Sequence, residues 1–343
     1  MSTNFVIDLL DKIQAPDIPG LLFRGFQGET DFPGMVAVRD ACRESDGLER
    51  VWTVEDYERR FRYLVNCDPA KDKLMVEMDG ELIGSTRVWW EEESDGRIIC
   101  YNFAQLVPQW RGRGIWPSML QWNEERLHQI SVQFPLEKTK VLRVWVGAKE
   151  EQLAELLTNT GYAPARYFFE MVRPNLENIP DLAIPDGLTV RPPVNRDEYW
   201  KVFKAEEEIF QDHWGATDWK EEWFEEWQEE PTFNPSLYQV AWDGDEVAGM
   251  VLNFIDNREN EDHNRKRGYT EDIGVRRAYR RRGLAKALIA RSLRVLKEQG
   301  IEEAALGVDV ENPSGALGLY EDMGYVTIKR DMVMEKALQQ AEA

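Results

Sequence analysis

The sequence predicts a mixed α/β fold, with a mixed sheet of the α+β kind, that occurs twice along a chain of 343 residues. Residues 106–116 align without gaps on residues 275–285, and each segment has the pattern of a strand that enters a basic glycine turn and then a helix. In both halves an Asp-Gly pair comes before this segment and a Gly-Tyr pair comes after it. A preserved order of this kind predicts two copies of one fold.

Each half begins with a turn that enters a first strand, at residues 18–24 and 184–191. A hairpin follows in each half, because an Asp-Gly pair between two extended apolar runs is typical of a two-residue hairpin loop. The hairpin strands are expected over residues 74–78 and 82–90 in the first half, and over residues 238–242 and 247–255 in the second.

The helix after the second glycine turn has apolar and small residues at spacings of three and four, and Gly300 ends it. A further strand is predicted over residues 304–310, followed by a short helix over 316–323 that Gly324 ends. A closing strand pair is expected over residues 325–334. The helix positions that set the first spacing are Leu284, Ala287, Leu288, Ser292, Val295 and Leu296.

A loop-forming segment separates the two halves. Residues 174–180 and 185–187 contain the Pro, Asn and Gly residues that favour turns and linkers. We therefore expect an N-terminal domain over residues 1–173, a linker over residues 174–187 and a C-terminal domain over residues 188–343.

Composition narrows the function classes. The formal net charge of −21 argues against nucleic acid as a partner, because phosphate binding requires a positive surface. No run of residues is apolar enough for a membrane span, and the N-terminus lacks the pattern of a signal peptide, so a cytoplasmic protein is expected. Three Cys and three His, all scattered, predict no metal site.

The second glycine turn concentrates positive charge in an acidic chain, since five of the seven residues 276–282 are Arg. An isolated run of this kind is usually a solvated basic surface. Here it opens a helix, whose first N–H groups and partial positive charge attract an anion. Gly283 and Ala285 are small enough for the backbone to approach phosphate oxygens, and the side chains of Arg280, Arg281 and Arg282 can add charge-assisted contacts.

The C-terminal half resembles the GNAT superfamily of acetyl-coenzyme A-dependent N-acetyltransferases. The resemblance rests on Val275, on the turn Arg280-x-x-Gly283-x-Ala285, and on the residues from Asn312 to Tyr325 that include Tyr320 and Gly324. It implies two tandem GNAT-like domains, each a mostly antiparallel mixed sheet with a splayed parallel strand pair and flanking helices. The layout is similar to that of mycothiol synthase, whose C-terminal copy is the catalytic one.

The resemblance also implies roles for individual residues. The backbone of residues 275–277 holds the pantetheine arm, the amides of residues 281–286 hold the pyrophosphate, and Asn312 contacts the pantetheine. Tyr320 protonates the leaving thiolate. The residues expected to bind acetyl-CoA, or another acyl-CoA, as co-substrate are Val275, Arg276, Arg277, Arg280, Arg281, Arg282, Gly283, Leu284, Ala285, Lys286 and Asn312.

Direct attack by an amine requires a general base, because an aliphatic amine has a pKa of roughly 10.4. Glu271 and Asp272 lie on the strand that leads into Val275. Neighbours on a strand point to opposite faces, so only one of them is expected to face the site. We assign the role to Glu271, although a solvated strand entry explains both residues equally well. A main-chain N–H near Val275 is expected to stabilise the oxyanion.

The acceptor is expected to lie against residues 196–230. His213 and Trp214, in the break between two helices of this region, are the candidate substrate contacts. Trp219, Trp223 and Trp227 recur at every fourth position, which predicts the buried face of a helix. The alternative is an aromatic and acidic groove for a cationic amine, since many Glu residues are interleaved with these Trp residues.

The N-terminal half departs from the pattern at three positions that would face the coenzyme. Trp116 replaces the small Ala285, Leu157 replaces Tyr320, and Lys149 replaces Asn312. We therefore expect this half to keep the fold without catalysing. A weak coenzyme site is the alternative, because residues 111–114 retain the Arg-Gly-Arg-Gly turn.

The resulting hypothesis is an N-acyltransferase that moves an acetyl or other acyl group from acyl-CoA to a small-molecule or peptide amine. The acidic surface favours a cationic amine, and a monomer or homodimer is expected. A non-catalytic acyl-CoA sensor is the alternative, which the intact Asn312 and Tyr320 disfavour. A transferase that uses charged tRNA is disfavoured by the net charge of −21.

Overall fold

The computed structural model describes residues 9–312 and 315–338. The chain divides into two compact units. One holds the residues up to Ala165 together with those from Met332 onward, and the other runs from Arg166 to Asp331. No helix in the described part of the chain is long and apolar enough to cross a membrane.

The first unit is built on one mixed sheet with helices that pack against it. Its elements are β1 (Leu21–Gly25), α1 (Phe32–Asp46), α2 (Val54–Arg62), α3 (Pro69–Asp72), β2 (Lys73–Met78), β3 (Glu81–Glu92), β4 (Ile98–Leu106), α4 (Ile115–Ser131), β5 (Lys140–Val146), α5 (Glu151–Asn159), the start of β6 (Ala163–Arg173) and the end of β12 (Val326–Ala337). The strand order is β1-β2-β3-β4-β5, and the end of β12 follows β5.

The second unit repeats this plan. Its further elements are β7 (Thr189–Arg191), α6 (Arg196–Phe210), α7 (Glu221–Glu229), β8 (Gln239–Asp243), β9 (Glu246–Phe254), α8 (Asn257–Asp262), β10 (Arg267–Val275), α9 (Leu284–Glu298), β11 (Glu303–Asp309) and α10 (Ala316–Asp322). The strand order is β7-β8-β9-β10-β11-β6. Helix α9 buries five of its six predicted positions, and Val295 is only partly buried; the five are Leu284, Ala287, Leu288, Ser292 and Leu296.

The predicted repeat is confirmed element by element at the glycine turns. A three-residue 3-10 turn follows the strand in each unit, at Pro108–Trp110 and at Arg277–Tyr279. A glycine in the left-handed region then precedes the helix, with φ of 83° at Gly114 and 82° at Gly283. Only glycine adopts this conformation without steric cost, so the motif requires glycine for its backbone geometry.

Each unit contains one parallel strand pair that separates part-way along. In the second unit β10 pairs with β11 only from Arg267 to Tyr269, and β10 then bulges between Glu271 and Gly274. In the first unit β4 pairs with β5 only from Ile98 to Tyr101. The splayed parallel pair expected from the family resemblance is therefore confirmed in both copies.

The strand that follows each copy's short helix is long. In the second unit, residues Phe168 to Arg173 of β6 pair antiparallel with β11. In the first unit, residues Met332 to Ala337 of β12 pair antiparallel with β5. The prediction of a closing strand pair over residues 325–334 was wrong, because β12 is one continuous strand. No Gly, Pro or Asn lies between Val326 and Ala337 to form a turn.

Candidate active site

A pocket of about 400 Å³ lies in the second unit at the N-terminus of α9. The first N–H that bonds inside this helix is that of Ala287, which donates to the Gly283 carbonyl at 3.1 Å. The N–H groups of residues 284–286 therefore have no partner within the helix. With the partial positive charge of the helix end, they form an anion site at the mouth of the pocket. Its lining includes Arg281, Gly283, Leu284, Ala285 and Lys286.

The turn before the helix is held in an unusual backbone conformation. Arg281 has φ of 62°, which is uncommon for a residue with a side chain, and Gly283 follows two residues later with φ of 82°. Strain of this kind persists where the surrounding structure fixes it, and it is frequent at ligand sites. A Cβ placed on Gly283 meets nothing within 4 Å, so the space in front of the turn is open.

The five arginines of the turn have different partners. Two of them reach acidic side chains: Arg276 pairs with Glu208 and Glu246, each at 3.0 Å, and Arg277 with Asp212, with Nε 3.0 Å from Oδ2. Arg282 donates to a backbone carbonyl at 3.0 Å.

The side chains of Arg280 and Arg281 line the pocket. The Nε of Arg280 donates to the Val275 carbonyl at 2.9 Å and so ties the turn to the end of β10. Within residues 9–312 and 315–338, Arg281 forms no ion pair, so its charge is available to a ligand. Arg276, Arg277, Arg282 and Asn312 lie outside the pocket lining.

Tyr320 projects from α10 into the same pocket and is only 7% exposed. Burial raises the pKa of its hydroxyl, and the nearby Glu271 carboxyl raises it further. A phenol with a raised pKa keeps its proton at neutral pH and can donate it. The structure thus brings Tyr320 and the small-residue turn together, although they are far apart in sequence.

Glu271 lies where β10 and β11 separate. Its Oε1 accepts a hydrogen bond from the Gly307 N–H of β11 at 3.0 Å, so the side chain bridges the gap between the two strands. Burial raises the pKa of the Glu271 carboxyl to about 8, with a further contribution from Asp272. A carboxyl with this pKa can exchange a proton near neutral pH.

The strand-alternation argument for Glu271 and Asp272 does not hold here. Asp272 has φ of 49° within the bulge of β10, so the regular alternation of side chains is interrupted at this residue. Asp272 lines a second cavity, while Glu271 reaches across to Gly307. No glycine or proline stands at residues 271–273 to signal the bulge in the sequence.

The main-chain N–H of Val275 points into the splayed region. Arg276 donates to the Ala248 carbonyl of β9 at 3.0 Å, so these two residues form a hydrogen-bonded pair. Val275 lies opposite Gly249 in the next, non-hydrogen-bonded pair, and its N–H and carbonyl therefore point away from β9. This N–H is oriented to donate to a group placed between β10 and β11.

A second cavity of about 250 Å³ adjoins the first, and His213 lines both. The ring of His213 packs edge-on against Phe210 at 4.6 Å, and burial lowers the pKa of the imidazole. Trp214 lines the second cavity and is contacted by Arg166 at 5.8 Å and Phe168 at 6.2 Å. Both predicted substrate residues thus lie on one cavity next to the pocket at the N-terminus of α9. That pocket is called the coenzyme-type pocket below.

The floor of the second cavity contains a carboxyl pair that the sequence interpretation missed. Glu206 and Asp272 share a side-chain hydrogen bond, and both line the cavity. Glu206 belongs to a run of three Glu residues on a helix, which is typical of a solvated surface, yet it is only 8% exposed. Its position at helical spacing from the buried Val202 and Ile209 was the available signal.

The prediction that Trp219, Trp223 and Trp227 form the buried face of one helix was wrong. Trp219 precedes α7 and packs against Phe203 at 4.7 Å. The buried residues of α7 are instead Phe224, at 2% exposure, and Glu226, and the two Trp residues of the helix are only partly buried. Because α7 begins at Glu221, it does not include Trp219.

Comparison with known proteins matches this arrangement. Residues 199–325 match the acetyltransferase (GNAT) family. A GCN5-related N-acetyltransferase from Sphaerobacter thermophilus has the same fold at 25% sequence identity and a TM-score of 0.69, over 94% of this chain and 97% of that one. Residues 199–325, in the second unit, therefore form a domain of the GNAT acetyltransferase family.

Further relatives agree with a two-copy GNAT chain. A tandem GNAT protein of the clavulanic acid biosynthesis pathway shares the fold, with a TM-score of 0.69 at 14% identity, over 94% of this chain and 100% of that one. A mycothiol acetyltransferase of Geodermatophilus obscurus is 26% identical over 88% of this chain and 93% of its own length. Another, of Salinispora tropica, is 31% identical over 54% of this chain and 60% of its own.

The first unit has the same turn, and side chains of that unit fill the space around it. Arg111 Nε donates to the Leu106 carbonyl at 2.9 Å, as Arg280 does to Val275. The remaining nitrogens of Arg111 bond the Asp46 carboxylate at 2.6 and 2.8 Å. The Arg111 guanidinium also lies 4.9 Å from the ring of Trp116, which is only 5% exposed. All three side-chain nitrogens of Arg111 therefore donate to groups of the protein.

An N-terminal segment covers the glycine of this first GNAT turn. A Cβ on Gly114 would lie 3.4 Å from Pro16, whereas the corresponding Gly283 faces open space. The Ser118 hydroxyl donates to the Gln14 carbonyl at 2.7 Å and fixes the segment over the start of α4. The Trp116 indole thus turns inward, and the approach to the turn is closed by Pro16.

Proposed function

We propose that the second unit transfers an acetyl group from acetyl-CoA to a primary amine by direct attack. The observation that carries the proposal is the pocket at the start of α9. It combines helix N–H groups without helical partners, the Arg281 charge and the Tyr320 hydroxyl in one cavity of about 400 Å³. This combination suits an acyl donor with an anionic end and a thioester end.

The donor's two ends have complementary surroundings. The N–H groups of residues 284–286 and the Arg281 side chain bind the pyrophosphate, and the small Ala285 leaves the approach open. Lys286 is held by Asp322 at 2.8 Å and adds its charge at the rim of the pocket. The end of β10 offers backbone groups to the pantetheine arm, since the N–H of Val275 points away from β9. Acetyl-CoA supplies the thioester that the amine attacks.

Two side chains move the protons. Glu271 is the general base that removes the proton of the attacking amine, directly or through water, because its raised pKa suits proton acceptance near pH 8. Tyr320 is the general acid that returns a proton to the departing thiolate. The Val275 N–H stabilises the charge that develops on the acyl oxygen.

The first unit, in this proposal, keeps the fold and does not bind the donor. The closed approach at Gly114, the ion pair of Arg111 with Asp46 and the buried Trp116 all support this assignment. Pro16 lies against Gly114 and takes up space that an anion at the start of α4 would need.

The acceptor is a small-molecule or peptide amine in this proposal. Because two relatives are called mycothiol acetyltransferase, the panel of amines includes the form of mycothiol that lacks its acetyl group. The excess of acidic residues, with a net charge of −21, favours cationic amines over acidic ones.

The direct test measures thiol release from acetyl-CoA against a panel of amines, with a thermal-shift titration of acetyl-CoA alongside. We expect amine-dependent thiol release and an increase of the melting temperature with acetyl-CoA concentration. Stabilisation by acetyl-CoA without turnover on any amine would instead identify an acyl-CoA sensor. The absence of both effects would overturn the assignment of the donor.

Replacing Tyr320 by Phe is expected to lower kcat roughly 100-fold at pH 7, because the thiolate then leaves without a proton donor. The deficit should shrink above pH ~9, where a thiol of pKa near 8.5 leaves readily as the anion. Steady-state rates over a pH series check this. Tyr325→Phe is the control, since it removes a neighbouring buried hydroxyl that bonds Thr270 at 2.7 Å. Equal pH profiles for wild type and Tyr320→Phe would contradict the role.

A further inference from the structure

The carboxyl pair of Glu206 and Asp272 is not used by the proposed reaction. The two groups hydrogen-bond to each other, so one proton lies between them. Burial raises the pKa of both carboxyls, to about 6 for Asp272. At neutral pH the pair therefore keeps one shared proton and one net negative charge.

Among the described residues, no cationic side chain pairs with these two carboxyls. Cations on the neighbouring elements bind other acids: Lys204 bonds Glu207, Arg276 bonds Glu208 and Arg277 bonds Asp212. A buried negative charge without a counterion is costly, and a cation from a ligand would offset the cost.

The groups that face the pair add no positive charge. Tyr238, Tyr320 and Glu271 are close enough to interact electrostatically with Asp272, and all three are neutral or acidic. His213 lines the same cavity, and burial holds it in the neutral form by lowering its pKa. The Glu207 side chain on this cavity is already engaged by Lys204 and by the Trp219 N–H at 3.0 Å.

The lining of the cavity combines aromatic and polar residues. Phe210, Trp214 and Trp219 line it together with Gln211 and Thr217. Aromatic faces attract organic cations, and Trp is the best of them. A cavity of about 250 Å³ with aromatic side chains and one negative charge in its lining matches an alkylammonium group.

The attacking nitrogen cannot be the cation that the pair binds. The attacking amine must be neutral, and it must lie between β10 and β11, near Glu271 and Tyr320. Neither Glu206 nor Asp272 lines the coenzyme-type pocket, which adjoins the second cavity at His213. The pair thus lies beside the reaction site rather than within it.

We propose that Glu206 and Asp272 bind a second, non-reacting ammonium group of the acceptor, so that the enzyme favours diamines over monoamines. This inference rests on the proposed N-acetyltransferase function of the same unit. The acceptor spans the two cavities, with one nitrogen at the thioester and the other against the carboxyl pair.

The test compares amines of equal length that differ only at the far end. Putrescine and cadaverine are measured against aminobutanol and aminopentanol, with acetyl-CoA saturating. We expect kcat/KM to be about 10-fold higher for each diamine than for its amino alcohol, with the difference in KM. The KM of the diamines should rise below pH ~6, where the pair becomes neutral.

Changing both residues removes the charge and keeps the shape, because either carboxyl alone can still ionise. Asp272→Asn suits the left-handed φ of 49°, and Glu206→Gln can still hydrogen-bond its partner. In the double variant Glu206→Gln/Asp272→Asn the preference for diamines should fall to about one-fold at every pH. The charge of Asp272 raises the pKa of Glu271, so kcat with the amino alcohols is compared at pH ~9, where it should stay near the wild-type value because Glu271 is ionised with or without Asp272.

The outcomes separate the two proposals. Equal kcat/KM for diamines and amino alcohols in the wild type would overturn the diamine site and leave N-acetyltransfer standing. Equal losses for both acceptor classes in the double variant at pH ~9, where Glu271 is ionised, would also overturn it, since the pair would then act on the reaction or on folding. Absence of thiol release with every amine would overturn the proposed function itself.

Discussion

Glu271→Gln is expected to lower kcat/KM by roughly 100-fold or more at pH 8 and to change the shape of its pH dependence. Below the Glu271 pKa of about 8, the reaction needs two deprotonations, one of Glu271 and one of the amine. The plot of log kcat/KM against pH should therefore rise with a slope near two in the wild type. In the variant only the amine titrates, and the slope should fall to one.

The substitution leaves the local hydrogen bond in place, because a glutamine side chain keeps an oxygen that accepts from the Gly307 N–H. The folded state raises the Glu271 pKa, so ionisation of this group destabilises the protein as pH rises toward 8. The variant's melting temperature at pH 9 should thus equal or exceed that of the wild type. A slope that stays at two in the variant would mean that another group is the base.

Glu170→Gln provides a matched control for the electrostatic part of this prediction. Glu170 lies opposite Gly307 on β6, and its charge helps to raise the pKa of Glu271. Its removal should move the Glu271 titration to lower pH without changing the slope. The two variants together separate the proton acceptor from its environment.

The features that the sequence predicted well are local ones. The hairpin loops, the glycine turn and the helix that Gly300 ends each depend on residues a few positions apart. The repeat strengthened these predictions, since the same 3-10 turn and the same left-handed glycine occur in both copies. Local backbone chemistry decides these elements, so a single sequence carries enough information.

The features that the sequence did not predict depend on distant contacts. The positive φ at Asp272 has no glycine to signal it, yet it directs that side chain toward Glu206 and away from the Glu271 carboxyl. The pairing of β6 with β11 likewise joins segments far apart in the chain. The contacts divide the chain after Ala165 and after Asp331, because the end of β12 pairs with β5, while the linker over residues 174–187 stays a prediction. Strand partners are set by packing over the whole sheet.

The two glycine turns of the chain differ most in one side chain. Trp116 packs under Arg111 in the first unit, and the small Ala285 leaves the same position open in the second. Ala285 is partly buried, packs at the edge of the core and lines the coenzyme-type pocket, so a larger side chain there takes up space in the pocket. Trp at position 285 is therefore the substitution that we expect to close the pocket.

Ala285→Trp is expected to weaken acetyl-CoA binding roughly 100-fold and to abolish turnover at ordinary donor concentrations. The indole occupies the space in front of the 284–286 N–H groups and offers Arg280 the stacking partner that Arg111 has in the first unit. Isothermal titration with acetyl-CoA measures the loss. Ala278→Trp is the control, because Ala278 lies exposed on the same turn and outside the pocket lining.

The result distinguishes a blocked site from a damaged fold. Ala285→Trp should keep the wild-type melting temperature without ligand and lose only the shift that acetyl-CoA produces, while Ala278→Trp keeps both. Unchanged acetyl-CoA affinity in Ala285→Trp would mean that the donor does not pass this turn. The helix N-terminus would then lose its place in the mechanism, and the closed turn at Trp116 would no longer explain why the first unit does not bind the donor.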